Sequence, residues 1–147
     1  MQTTNPNYRV AEGSREVSAL ISSLFSDPGP NLDRAYGISN MDMLERHFPG
    51  FIVDSANFAR LEANIPSRFI YTSLKGPIIT RSDDLFMRHS KYLSPEQIDG
   101  CSDLTIVGDT VVFMTETDSD VMAQAITNPA IARQMVSLFN FLWAFAD

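Results

Sequence analysis

The chain has 147 residues, the commonest size for one domain and enough to bury about two thirds of the surface its unfolded form exposes. Its formal charge is −7 and its eleven basic residues are scattered, which excludes unaided nucleic-acid binding, where clustered Lys and Arg must displace counterions. A hydrophobic content of 44% with ten phenylalanines excludes a disordered chain.

In chain order, residues 1–7 are polar and read as a disordered tail, and residues 8–147 as a single domain. "YRVAEG" (8–13) suits a short strand. Val17, Leu20, Ile21, Leu24 and Phe25 then recur at helical spacing behind Ser14, a candidate N-cap. Two prolines and a glycine in "SDPGPN" (26–31) end that helix. "DRAYGIS" (33–39) is a strand. Met43, Leu44, Phe48, Phe51, Ile52, Phe58 and Leu61 mark a helical stretch from Asn40 to Ile65, split at Pro49-Gly50 with Pro49 near the start of its second piece.

"SRFIYTS" (67–73) is the next strand, "GPIIT" (76–80) an extended piece, and "RSDDLFMR" (81–88) a short helix capped by Ser82. "DLTIVG" (103–108) and "TVVFMTE" (110–116) form a hairpin through Gly108-Asp109. "ETDSD" (116–120) is a solvated loop and "VMAQAIT" (121–127) the last strand. Asn128 caps and Pro129 opens a closing helix. Met135, Leu138, Phe139, Leu142 and Trp143 make its core face, widened by Phe141 and Phe145. The whole reads as a mixed α/β domain.

Cys101 is the only cysteine, so an intrachain disulfide is excluded and a reducing compartment expected. Asp99 and Asp103 flank it and oppose a thiolate. MQTTNPNYRV is not a basic-then-apolar leader, and no apolar run approaches the roughly 20 residues of a membrane span. The expectation is a cytoplasmic protein without a membrane partner.

Most catalytic constellations are missing. Two distant histidines and one cysteine offer no metal-ligand spacing, so no metal and no cofactor are expected. Seven dispersed glycines form no phosphate loop, and there is no GxSxG elbow. One stretch stands out: "MRHSKYLSPEQIDG" (87–100), whose His89-x-Lys91 is similar to half of the phospholipase D signature. In-line phosphoryl transfer through a phosphohistidine needs a second His-Lys pair. The other histidine, His47, has no lysine two residues on, and Glu96 and Pro95 also depart from the signature. Half a motif acts only if a homodimer supplies the rest; otherwise the pair belongs to an exposed strand edge. A different signal is the uncharged polar residues where strands end: Ser39, Asn40, Thr72, Ser73, Gln124 and Thr127, with Tyr36, Tyr71 and Met122 nearby. In open α/β sheets small ligands dock at such ends, and this set suits a neutral polyol.

Five stretches in order, "YRVAEGSREVSALISSLF", "HFPGFIVDSANFARLEANIPSRFIYT", "RHSKYLSP", "DLTIVGDTVVFMTE" and "ITNPAIARQMVSLFNFLWAFA", resemble the C-terminal effector-binding domain of the TrmB family of sugar-sensing transcriptional regulators, over about residues 8–146. The resemblance implies a phospholipase D-like, non-catalytic sandwich: a central mixed sheet, helices on both faces, closed by a long C-terminal helix. In its register Asp109 takes the acid slot of the phospholipase signature, with Leu104 at the lysine and Ser102 at the histidine position. His89 and Lys91 fall on a non-catalytic segment. It also implies sugar contacts at Met122, Ile126 and Thr127, Thr127 standing where glutamate is usual. The family's helix-turn-helix and coiled-coil linker have no counterpart in these residues. The expectation is therefore a non-enzymatic ligand sensor. Its binding residues are Ser39, Asn40, Tyr71, Arg88, Met122, Gln124, Ile126 and Thr127, and its effector is a sugar-like small molecule. It is expected to be a homodimer that meets DNA only through a separate module or partner. The alternatives are a dimerisation or protein-interaction module without ligand, and a phosphodiesterase completed across a homodimer.

Overall fold

In the computed structural model, which describes residues 5, 7–26, 32–49, 55–77 and 83–147, strands and helices follow one another as β1 (Tyr8–Glu12), α1 (Ser14–Ser26), β2 (Ala35–Asn40), α2 (Met41–His47), α3 (Ser55–Glu62), β3 (Ser67–Thr72), β4 (Arg88–Tyr92), β5 (Ser102–Val107), β6 (Thr110–Glu116), β7 (Val121–Thr127) and α4 (Pro129–Trp143). The strands form one mixed sheet in the order β1-β7-β6-β5-β2-β3-β4. β2, β3 and β4 run parallel, while β5, β6, β7 and β1 pair antiparallel. Gly108, at φ +58°, supplies the left-handed turn that a two-residue β5–β6 hairpin requires.

Period-2 alternation sorts side chains to two faces. Ala35, Val107, Val112, Met114, Ala123 and Ala125 turn towards Val17, Leu24 and Phe25 of α1 and Met43 of α2. Leu104, Ile106 and Val111 turn the other way, onto Ala132, Met135 and Val136 of α4, and Ile70 meets Phe139 there. Thus α1 to α3 cover one face and α4 the other. Asn40 and Asn128 cap α2 and α4, each side-chain oxygen accepting two first-turn amides, as expected of Asn128-Pro129. At the outer edge of β4 the Tyr92 and Asp147 amides each donate to the other's carbonyl at 2.9 and 3.0 Å.

Several expectations need correcting. Ser14 is the first residue of α1; the Val17 amide bonds back to the carbonyl of Gly13. Residues 83–87 form turns and Arg88 already belongs to β4, so the described part of "RSDDLFMR" is not helical; Ser82 lies outside the described residues, as do Phe51, Ile52 and 78–80 of "GPIIT". Leu138, Phe141 and Phe145 are 48%, 66% and 61% exposed. Phe139, with Met135, Leu142 and Trp143 packed against the core, keeps the expected face and Ala132 joins it, because the helix lies across β5 and β6 and turns its far side outward. Phe58 is likewise exposed, and among the described side chains of α3 Arg60 is the buried one. "ETDSD" is more structured than a solvated loop. Glu116 closes β6 and bonds Arg46 and His47, while the Asp120 carboxylate accepts from the Ser14 amide at 3.0 Å.

Candidate functional site

Alternation along β5 places Asp103, Thr105 and Val107 on the face under α1 to α3. Asp103 is therefore a carboxylate inside the core, 4% exposed. Burial pushes its pKa up to about 7, against the opposing effect of hydrogen bonds from the Ser39 and Thr105 hydroxyls. Ser39 reaches it because β2 and β5 are antiparallel and the residue pair after Ile38↔Leu104 is Ser39 with Asp103.

Arg60, also 4% exposed, lies on the same face. Its Nη1 donates to the Ile65 carbonyl at 2.8 Å and to that of Met87 at 3.4 Å; Nη2 donates to the Phe86 carbonyl at 2.6 Å. No carboxylate among the described residues pairs with it. Burial, then the charge of Arg88, pull its pKa down to about 10. Arg88 is paired with Asp83 at 2.9 Å. Burial resists ionisation of that carboxyl, but hydrogen bonds from Arg88 and Ser90 prevail and hold it below the usual range.

Asp103, Arg60 and Arg88 line one cavity of about 150 Å³, whose walls are mainly apolar: Ile21, Phe25, Leu44, Phe48, Phe69 and Met114. Gly37 lies in its floor, where a Cβ would come within 3.2 Å of the Phe69 ring. A buried acid, a buried guanidinium and a hydrophobic wall around one void are the usual ingredients of a small-molecule site. Neither Asp103 nor Arg60 was expected as a site residue. Asp103 was legible as a charge at an inward position of an apolar strand. Arg60 was hidden by the choice of Phe58 and Leu61 as the inner face of α3.

The eight expected binding residues do not form one site. Ser39, Asn40 and Tyr71 converge at the carboxyl ends of β2 and β3, on a void of only about 30 Å³, about the space of one or two waters. Asn40 is committed to capping and to the Gly100 carbonyl at 2.9 Å, and Tyr71 is buried against Phe69 and Tyr92. Ser39 and Arg88 line the larger cavity. Met122, Gln124 and Ile126 lie on β7, separated from β2 by β6 and β5, opposite in face to buried Ala123 and Ala125. Thr127 shares a hydroxyl contact of 2.8 Å with Thr110.

His89 and Lys91 stand on the outer strand β4, facing α4. The His89 ring meets Trp143 edge-on at 5.0 Å; Lys91 Nζ lies 4.7 Å from the same ring and donates to the Trp143 carbonyl at 3.2 Å. His47, on α2, bonds Glu116 at 2.7 Å. Ser102 and Leu104, in the phospholipase slots of the expected register, are a half-buried and a buried residue of β5.

No family profile and no curated protein matches this chain. Among solved structures, the archaeal chromatin protein TrmBL2, described as showing a novel mode of DNA binding, is similar with a TM-score of 0.65 and 13% identity over the whole chain, which spans 56% of that protein. Nuc, a phospholipase D family member from Salmonella typhimurium, matches 97% of both chains with a TM-score of 0.60 and 13% identity. NucT from Helicobacter pylori matches 95% of this chain and 98% of its own, with a TM-score of 0.62 and 8% identity. The fold is the phospholipase D-like α/β fold, common to a TrmB-type protein and to phospholipase D family members.

Proposed function

We propose that this chain is a non-enzymatic, cytoplasmic ligand-sensing domain of TrmB type, residues 8–147 acting as one unit. Its effector site is the cavity over Gly37, in place of the strand-end cleft. The observation that carries this reading is a void faced by two buried ionisable groups, Asp103 and Arg60, neither paired with an opposite charge among the described residues. Burying such groups costs several kcal/mol, on the order of what one unpaired ion loses in desolvation. A fold that retains two of them beside a cavity is well suited to a ligand that compensates them.

Binding would be coupled to dimer or partner state through different ligand affinities in two arrangements of the domain. Arg60 is the natural link, since its guanidinium ties α3 to the carbonyls of Phe86 and Met87 at the head of β4. Any contact with DNA would come from a separate module or partner, in keeping with the net charge of −7. The engagement of His89 and Lys91 with Trp143 supports a structural role for the pair and weakens the phosphodiesterase alternative. A thermal-shift screen of sugars, nucleotides, amino acids and short carboxylates tests the proposal: a stabilising compound whose effect is weakened in Asp103→Asn is expected. Silence across the screen would sink it.

The dimerisation reading is favoured by one observation of its own. The outer face of α4 exposes Leu138, Phe141 and, just beyond, Phe145, and from Gln134 to Ala144 it carries no charge. In an acidic chain, an uncharged apolar face is where a second copy approaches without repulsion.

A further inference from the structure

The two charged ends of the cavity are far apart, and their order narrows the ligand. Arg88, Ser67 and Ala35 stand in one row across β4, β3 and β2, and Arg60 reaches the carbonyls of Phe86 and Met87 beside that row. Asp103 is beside Ser39, four residues further along β2, which is about 13 Å at the usual rise of a strand. Between them lie Gly37, which has no side chain, and the Phe69 ring packed over it. The void is therefore a passage with a cationic end, an apolar middle and an acidic end.

Among the described residues the cationic end holds Arg60, Arg88 and the carboxylate of Asp83, two positive charges to one negative. Three of the five N–H groups of Arg60 are taken by carbonyl oxygens, which satisfy hydrogen bonds and leave the charge unneutralised. A second depression of about 330 Å³ shares Ser67, Arg68 and Arg88 with the cavity and adds Arg34, His89, Asp83 and Asp84. Its lining carries three guanidiniums and two carboxylates, and Arg34 is paired besides with Asp33 at 3.8 Å.

Resting on the ligand-sensing reading, we infer that the cavity takes a short linear ω-amino carboxylate, its carboxylate at Arg60, its methylenes along Gly37 and Phe69, and its ammonium at Asp103. A neutral sugar would leave both buried charges uncompensated and set hydroxyls against Phe25, Phe69 and Met114. A ligand with two opposite ends neutralises both and keeps its apolar part where the wall is apolar. The burial-raised pKa of Asp103 adds that ammonium binding releases a proton, so affinity rises between pH 6 and pH 8.

The test is calorimetric titration of the whole chain with 5-aminopentanoate, pentanoate, pentylamine and glucose, repeated on Asp103→Asn. The first is expected to bind more tightly than pentanoate or pentylamine by about thirtyfold, the scale on which removing one partner of a buried charge pair acts. In Asp103→Asn the advantage over pentanoate should vanish while pentanoate binding persists. Arg60→Met should lose both acids; if that variant fails to fold, the comparison of 5-aminopentanoate with pentylamine on the unaltered protein reads the same contact. Equal affinity for pentanoate and 5-aminopentanoate overturns the inference. Binding of glucose alone overturns it too, and leaves ligand sensing standing. Failure of all four probes overturns the inference; the sensing proposal falls only if its wider screen is silent as well.

Discussion

Lys91 sets its ammonium 4.7 Å from the centre of the Trp143 ring and donates to that residue's own carbonyl at 3.2 Å. One side chain thus holds the last residue of α4 in two ways, through the ring face and through an unpaired helix-end carbonyl where a cation is electrostatically favoured. Arg68 stands over the same ring at 5.5 Å and His89 meets its edge. Lys91→Ala is expected to cost about 1 kcal/mol and to speed amide exchange in the final turn of α4 while leaving β5 and β6 protected. His89→Ala should change no hydrolysis of a bis-aryl phosphodiester. Activity lost in that variant would restore the phosphodiesterase alternative.

Asp103 makes stability depend on pH in a direction opposite to most carboxylates. Its pKa rises from 3.8 to about 7 on folding, so the unfolded chain releases this proton first. Stability is lost as pH rises from about 4 to about 7, by an amount on the order of 4 kcal/mol for a shift of this size. Asp83 and Glu116, both held low, act the other way and lose their contribution only at acid pH. Urea unfolding at pH 5 and pH 8 should show Asp103→Asn gaining on the unaltered protein at the higher pH. An unchanged difference between the two pH values would refute this account.

Arg60 ties the carbonyls of Ile65 and Phe86, and bonds more weakly to that of Met87, which also accepts from the Ser67 amide at 2.9 Å. Arg60→Ala should cost about 3 kcal/mol or more, because unsatisfied buried carbonyls each lose on the order of 1–3 kcal/mol. Chemical denaturation measures it; a cost below about 1 kcal/mol would mean water replaces the guanidinium.

The uncharged outer face of α4 yields a prediction about assembly. If two copies meet there, Phe141→Asp should shift light-scattering mass from dimer to monomer without lowering the melting temperature of the monomer, since the ring is 66% exposed. An unaltered mass distribution would remove α4 from the interface.

Much of the architecture was legible from local rules. Asn128-Pro129 announced the start of α4, and Gly108-Asp109 the hairpin of β5 and β6. Those signals are short-range, set by capping and turn geometry. The candidate site was less so. Strand ends rich in Ser, Asn and Thr pointed to a cleft, but Asn40 and Tyr71 are used in capping and core packing. Asp103 was read only as a neighbour of Cys101, although its place in an alternating strand already put it inside.

By itself the sequence determined a mixed α/β domain with no second His-Lys pair, because element types and missing residues can be read without knowing what packs against what. Only the tertiary structure decided that Asp103 and Arg60, 43 positions apart, face one cavity, and that Leu138, Phe141 and Phe145 face outward. Both depend on which strands are neighbours and on where α4 crosses the sheet. Those are long-range choices, set by how all the apolar faces are buried at once, which no local spacing records.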